Sequence, residues 1–316
     1  VGALAARYWD IQLEASPLSA TLLGVHDHDD RIDDLSEAAE AARAAQLSTL
    51  RDELAALDRT ALSNADHVTA TLLEHQIVSG IETAELGLLE LASDPLDGPH
   101  AALLMVAPQL TYLEPHQAEG ALIRYSQIPG YLGQALDRFR AGAARGRTPA
   151  ASVLARSINS LDGYLDSELA NDPFLAPQLP AAWQEHDDRR AKQWRDESLE
   201  LVRDRIRPAF ALYRDVLRDE LGPVARDDEH VGWCWLPDGD RLYAALIRLH
   251  TTLELTPDEL HELGRRRCEV DLPREFLGIG TEVWPELRDA QDPLATLFTR
   301  LRDDPTGRSA LTARAS

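Results

Sequence analysis

Apolar residues recur along nearly the whole chain at steps of three and four. Leu154, Ile158, Leu161, Leu165 and Leu169 are one such series, and Leu47, Leu50, Leu54 and Leu57 are another. Leu73, Ile77, Ile81, Ala84 and Leu88 form a third, and Leu199, Val202, Ile206, Ala209, Tyr213 and Val216 a fourth. Those steps place side chains on one face of a helix with about 3.6 residues per turn, whereas a half-buried strand needs period-two alternation. Such alternation is almost absent. The sequence therefore predicts an all-α chain, a multi-helix array.

Local signals set the boundaries. Ser36 reads as a cap, a helix follows from about Asp66 to Leu91, and another from about Gln117 to Ala144 is interrupted at Pro129-Gly130. Thr148-Pro149 starts the next helix. In the long stretch from about Ala182 to Leu221, Pro208 either kinks a helix or begins a new one. Pro237-Asp238-Gly239 is turn chemistry, with Gly239 expected to take the positive φ. Leu242, Ala245, Leu246 and Leu249 then share a stripe. Thr256-Pro257-Asp258-Glu259 is an N-cap, a Pro at N1 and a capping box, so a helix begins at about Pro257. No linker separates domains cleanly. The expectation is a single helical domain over 1–316, with 1–180 and 181–316 as candidate lobes.

The formal net charge of -22 opposes nucleic acid and anionic membrane as partners, because no long Lys/Arg run segregates a basic face. The only lysine, Lys192, lies in a polar helical stretch unsuited to Schiff-base chemistry. Cys234 and Cys268 make neither a disulfide framework nor a CxxC clip, and small buried hydrophobes is the reading they favour. No apolar run approaches the ~20 residues of a membrane span, and VGALAARYWD lacks the layout of a signal peptide. A cytoplasmic location is expected, although a chain that starts without Met is also compatible with a removed leader.

Catalytic motifs are sparse. His261-Glu262 opens an HExxH pattern that Arg265 fails to close. The stretch HDHDDRIDD carries His26, His28 and Asp29, which could hold a cation if looped back, but the glycine and closing Glu of a calcium loop are missing. Capping of a surface loop is the favoured reading of those three. No GxSxG elbow and no phosphate-cradling glycine loop occurs. His261 lies seven residues before Cys268 on one helical face, leaving little room for an oxyanion site between them.

Four segments in order resemble one family. They are YWDIQLEASPLSATLLGVHDHDDRIDDLS near the start, YSQIPGYLGQALDRFRAGAARGRTPAASVL at 125–154, IRPAF at 206–210, and LPDG followed by Tyr243, His250-Thr251-Thr252 and LTPDELHELG. Together they resemble the bacterial "domain of unknown function eight-eight-five" family. The resemblance implies an all-helical metallopeptidase-type fold similar to gluzincin carboxypeptidases and oligopeptidases. It also implies an HExxPGHH-like zinc helix in the C-terminal half of full-length members. None of those ligands has a matching position before Ser316, so zinc is expected only in the longer proteins, and this chain carries no cofactor of its own.

The chain then reads as the N-terminal half of the family or a natural short form, uncertain as an enzyme and lacking the catalytic helix. In a full-length relative its helices would wall a cleft beside a zinc-bound water. Tyr243, His250, Thr251 and His261 are the cleft candidates, able to place an oxyanion donor or bind a peptide terminus. Structural roles fit them as well: a core aromatic, a helix C-terminal cap and a surface histidine. A peptide is the candidate ligand, with a protein-binding module or a purely structural scaffold as alternatives. The tail after Asp304 offers only Leu311 and the stem of Arg314 as anchors. A face normally covered by the C-terminal half would then be an exposed apolar patch, expected to drive self-association.

Overall fold

The computed structural model describes residues 1–186 and 188–304, without the side chains of 184–186 and 188. Leu311, Arg314 and Ser316 lie outside the described residues. Among those described, the chain is helical throughout, and backbone pairing outside helices is limited to two isolated bridges, Thr111 with Gln178 and Ala150 with Arg226. The chain divides into two compact units, Val1–Leu242 and Tyr243–Ser316. That division falls inside a helix and not near residue 180. Helices on both sides of 180 share one core, in which Leu132, Leu136 and Phe139 join Trp183, Trp194 and Phe210.

The first unit opens with α1 (Gly2–Ala15), α2 (Pro17–Leu22), α3 (Glu37–Ala55) and α4 (Asn64–Leu86). Ser36 accepts a bond from the Ala39 amide and Ser63 from the Asp66 amide, so each starts its helix by satisfying an orphan donor. Leu47, Leu50 and Leu54 of α3 meet Leu73, Ile77 and Ile81 of α4, with Leu4, Tyr8 and Ile11 of α1 laid against them. A second and larger core surrounds α6 (Pro115–Ala144), which packs on α5 (Pro99–Val106) and α9 (Asp188–Leu201). It also gathers α7 (Ala151–Asp166) and α10 (Arg207–Val216), while α8 (Ala181–His186) leads into α9.

One proline of this unit departs from the expectation and another meets it. Pro129 lies inside α6 without ending it. Tyr125, Ile128, Tyr131, Leu132, Ala135, Leu136 and Phe139 bury one face of that helix on both sides of the proline, and their packing outweighs the roughly 3 kcal/mol that an interior proline costs. Pro208 stands in the first turn of α10, which begins at Arg207, so of the two expected outcomes it is the new helix that is found. It follows a widened π turn, Val202–Ile206, whose last amide bond runs from Arg207 to the Val202 carbonyl. Two more π turns, Leu217–Leu221 and Arg267–Asp271, end two residues before Pro223 and Pro273. A proline ring collides with the carbonyl four residues back and offers that carbonyl no N–H. Widening the turn to i→i−5 keeps the chain helical through Pro208 and Pro273, whereas after the third such turn the chain makes one 3-10 turn, Gly222–Val224, and then extends.

The division between the units lies within α11 (Gly239–Thr251). In the turn before it, the positive φ falls on Asp238, at 57°, and not on Gly239. Gly239 is needed for space: a Cβ there would sit 1.7 Å from the Trp233 carbonyl oxygen.

The second unit continues with α12 (Pro257–Arg266), α13 (Leu272–Val283) and α14 (Pro293–Asp303). Thr256 and Glu259 form the expected capping box at the start of α12. The π turn Arg267–Asp271 carries α12 into α13, and α14 folds back on α13 after the turn Pro285–Asp289. Gly280 permits that approach, since a Cβ there would press on Leu297 at 2.9 Å.

Candidate functional site

One arginine organises the polar interior of the first unit. Arg124, 1% exposed, sits in the buried stripe of α6 and reaches back to the segment that links α2 to α3. Its Nε donates to the Arg31 carbonyl at 2.6 Å, and its Nη2 to the His28 carbonyl and the Thr21 hydroxyl, each at 2.8 Å. The Thr21 hydroxyl donates in turn to Asp29 at 2.5 Å, and Asp29 lies 3.6 Å from Arg124. His26 Nδ1 completes the knot at 2.8 Å from the other Asp29 oxygen. Gln127 and Gln134 on the same helix hold the Asp30 carbonyl and the Leu35 amide.

The cation candidates therefore meet a different fate from the one a metal would ask of them. Both Asp29 oxygens are engaged by protein groups, and His28 contributes its backbone carbonyl. Among the described residues, no group of three or more His, Cys, Asp or Glu side chains stands close enough to share an ion. The knot closes a loop: it neutralises one buried carboxylate and satisfies carbonyls that would otherwise be unpaired.

A second polar pair lies deeper. His100 is fully buried and faces Tyr213, with Nδ1 3.3 Å from the phenolic oxygen and ring centroids 5.2 Å apart. Burial pulls the imidazole down to about 4, against an opposing pull from Asp94, so the ring is neutral at pH 7. Ser157 pins the preceding loop by donating to the Ser93 carbonyl at 2.5 Å. Glu90, also buried, accepts from Arg145 and Arg147, with Arg138 at 3.9 Å. These groups went unremarked in the sequence. The one signal that could have found them is a polar residue inside an apolar helical stripe, as Arg124 is between Ala121 and Ile128.

The four cleft candidates are placed in the second unit. Tyr243 is 43% exposed on α11, and His250 and His261 are exposed on α11 and α12. The Thr251 hydroxyl donates to the Ile247 carbonyl at 2.6 Å and accepts from the Leu253 amide at 3.1 Å. It closes a helix end, beside Thr252 at a φ of 61°. No two of the four hydrogen-bond to one another among the described residues. Glu262 is held below the ordinary carboxylate range, first by its hydrogen bond from Arg265 at 2.6 Å. Cys234 and Cys268 are both exposed free thiols, so the expectation of buried cysteines does not hold.

Over residues 17–315 the sequence matches the model of a bacterial protein family of unknown function, DUF885. The chain belongs to that family. No curated protein matches it. Among solved structures, DUF885 as represented by this chain is similar to "the putative lipoprotein from Colwellia psychrerythraea", at a TM-score of 0.77 and 17% identity. That match covers 99% of this chain and 57% of the other, so the chain spans little more than half the length of the solved protein. Identity at this level carries the helical fold and nothing further. Among the described residues no helix is long and apolar enough to cross a membrane.

Proposed function

We propose that this chain supplies the helical, substrate-facing half of a metallopeptidase-like protein and hydrolyses nothing by itself. The observation that carries the reading is one of extent: the chain aligns over 99% of its own length while accounting for 57% of a larger helical protein. The resemblance of its four segments to the family supplies the chemical class, with zinc and the general base assigned to the part that the chain does not align with.

The second unit supports the same reading. Between Tyr243 and Asp304 only Ala245, Ile247, Gly280, Leu287 and Leu297 are buried among the described residues, far fewer than a helical unit of that size needs to hold its own shape. Phe276, Ile279 and Val283 on α13 are exposed, as are Phe298 and Leu301 on α14. In our proposal that apolar surface is where the rest of a full-length fold seats, and where copies of the isolated chain associate. Peptides are the substrate class, the cytoplasm the location.

The test is metal analysis of the purified chain together with hydrolysis of a peptide library. The expected result is zinc well below one equivalent and no turnover. Stoichiometric zinc with turnover would overturn the proposal. Light scattering on the same sample addresses the partner, and a clean monomer that binds no apolar dye counts against the exposed face.

A further inference from the structure

The parallel run of α6 beside the Val202–Ile206 π turn and α10 leaves a surface groove of about 340 Å³. Two helical stripes form its walls: Pro129, Leu132, Gly133 and Leu136 on one side, and Arg205, Pro208, Ala209 and Leu212 on the other. Both follow the i, i+3, i+4, i+7 pattern, and each places its smallest residue, Gly133 or Ala209, at i+4. The small pair keeps the groove open. A Cβ built on Gly133 meets nothing within 4 Å, so the glycine is not required by packing within the fold.

The lining is apolar except at one end, where Asp204 and Arg205 stand. Asp204 is already engaged by Arg203 through two bonds of 2.6 Å. Arg205 has no ion-pair or hydrogen-bond partner among the described residues, although the chain carries 54 acidic side chains. The groove thus ends in one uncompensated positive charge. Its presence is tied to the π turn, a distortion that recurs at functional sites because it re-aims the side chains of one turn.

We propose that this groove binds a medium-chain alkyl carboxylate, with the carboxylate on Arg205 and the tail along Pro129, Gly133, Ala209 and Leu212, over a floor formed by the buried Leu132 and Leu136. Two helical turns span about 11 Å, the extended length of a chain of about eight carbons. An alkyl tail suits these walls better than a peptide does. The groove offers side chains of Leu, Pro and Ala to its occupant, and a peptide backbone laid there would lose water from N–H and C=O groups without replacement bonds. The site is independent of the peptidase-like reading above.

The test is calorimetric titration of the whole chain with octanoate, octanol and octylamine below their micellar concentrations, beside an eight-residue apolar peptide with a free C-terminus. Octanoate is expected to bind at one equivalent. Octanol should bind about fivefold more weakly and octylamine more weakly still, the size of effect expected for one solvent-exposed ion pair. Arg205→Gln should lose the same fivefold for octanoate and erase its advantage over octanol. Gly133→Leu should abolish binding while leaving the urea midpoint at or above that of the parent, because it fills open space and removes a helix-interior glycine. The proposal is overturned if octanoate fails to saturate, if octylamine matches it, if the peptide binds more tightly, or if folded Gly133→Leu binds as before.

Discussion

Phe210 and Phe298 each sit within a helix with apolar neighbours on the same face, yet the first is fully buried and the second 47% exposed. Phe210 packs between Tyr164, at a centroid distance of 4.9 Å, and Phe174, at 6.3 Å. Phe298 touches Phe276 at 5.4 Å and otherwise faces outward. The contrast extends through their units. In the first, two clusters bury helix stripes on several sides; in the second, α12 buries no residue at all. Amphipathic patterning makes a helix ready to pack. It does not supply the surface to pack against.

The largest expected effect probes that contrast directly. Phe210→Ala should destabilise the chain by about 3–5 kcal/mol, the range for a buried aromatic that leaves a cavity, while Phe298→Ala should cost less than about 1 kcal/mol. Urea midpoints of the two variants measure it. Comparable losses at both positions would mean that the second unit is as well packed as the first.

Histidine gives the next test. With His100 pulled down to about 4 from an ordinary 6.5, the unfolded chain binds a proton between those values that the folded chain refuses. Stability is therefore full above pH 6.5, falls as pH drops toward 4, and levels off below. The lost contribution amounts to about 3 kcal/mol at most. His100→Leu should flatten that part of the pH profile relative to the parent. Urea unfolding at pH 7 and pH 4.5 reads the difference between the two chains.

A smaller effect is expected at the end of α11. Thr252 carries a branched side chain in the left-handed region, where such residues are strained. Thr252→Gly should gain about 0.5–1 kcal/mol, part of the relief being cancelled by the freer unfolded glycine. Hydrogen exchange should show slower opening of α11 in that variant. In the first unit, Gly87 at a φ of 60° already ends α4 with the residue suited to it, and Gly87→Thr should cost at least as much as Thr252→Gly gains.

Much of the helical layout was legible in advance. Ser36, Thr256 and Glu259 marked helix starts because a cap depends on groups within one turn. Pro129 was misread for the opposite reason, since its outcome depends on what packs beside the helix. The polar knot was hidden in the same way. His26 and Asp29 were visible as a ligand-like pair, but Arg124, which engages the loop they belong to, lies about a hundred residues downstream. Spacing in the sequence does not encode such a meeting.

The sequence alone determined that this chain is helical, roughly where each helix begins, and that it carries four segments of its family in order. Those properties are set by side-chain periodicity and by bonds closed within a turn. The tertiary structure decided that Asp29 meets Thr21, His26 and Arg124, that α6 continues through its proline, and that the stripes of α13 and α14 stay partly uncovered. Each of these depends on which surfaces distant helices bring together, because burial and long-range hydrogen bonds are properties of the assembled core and not of any single segment.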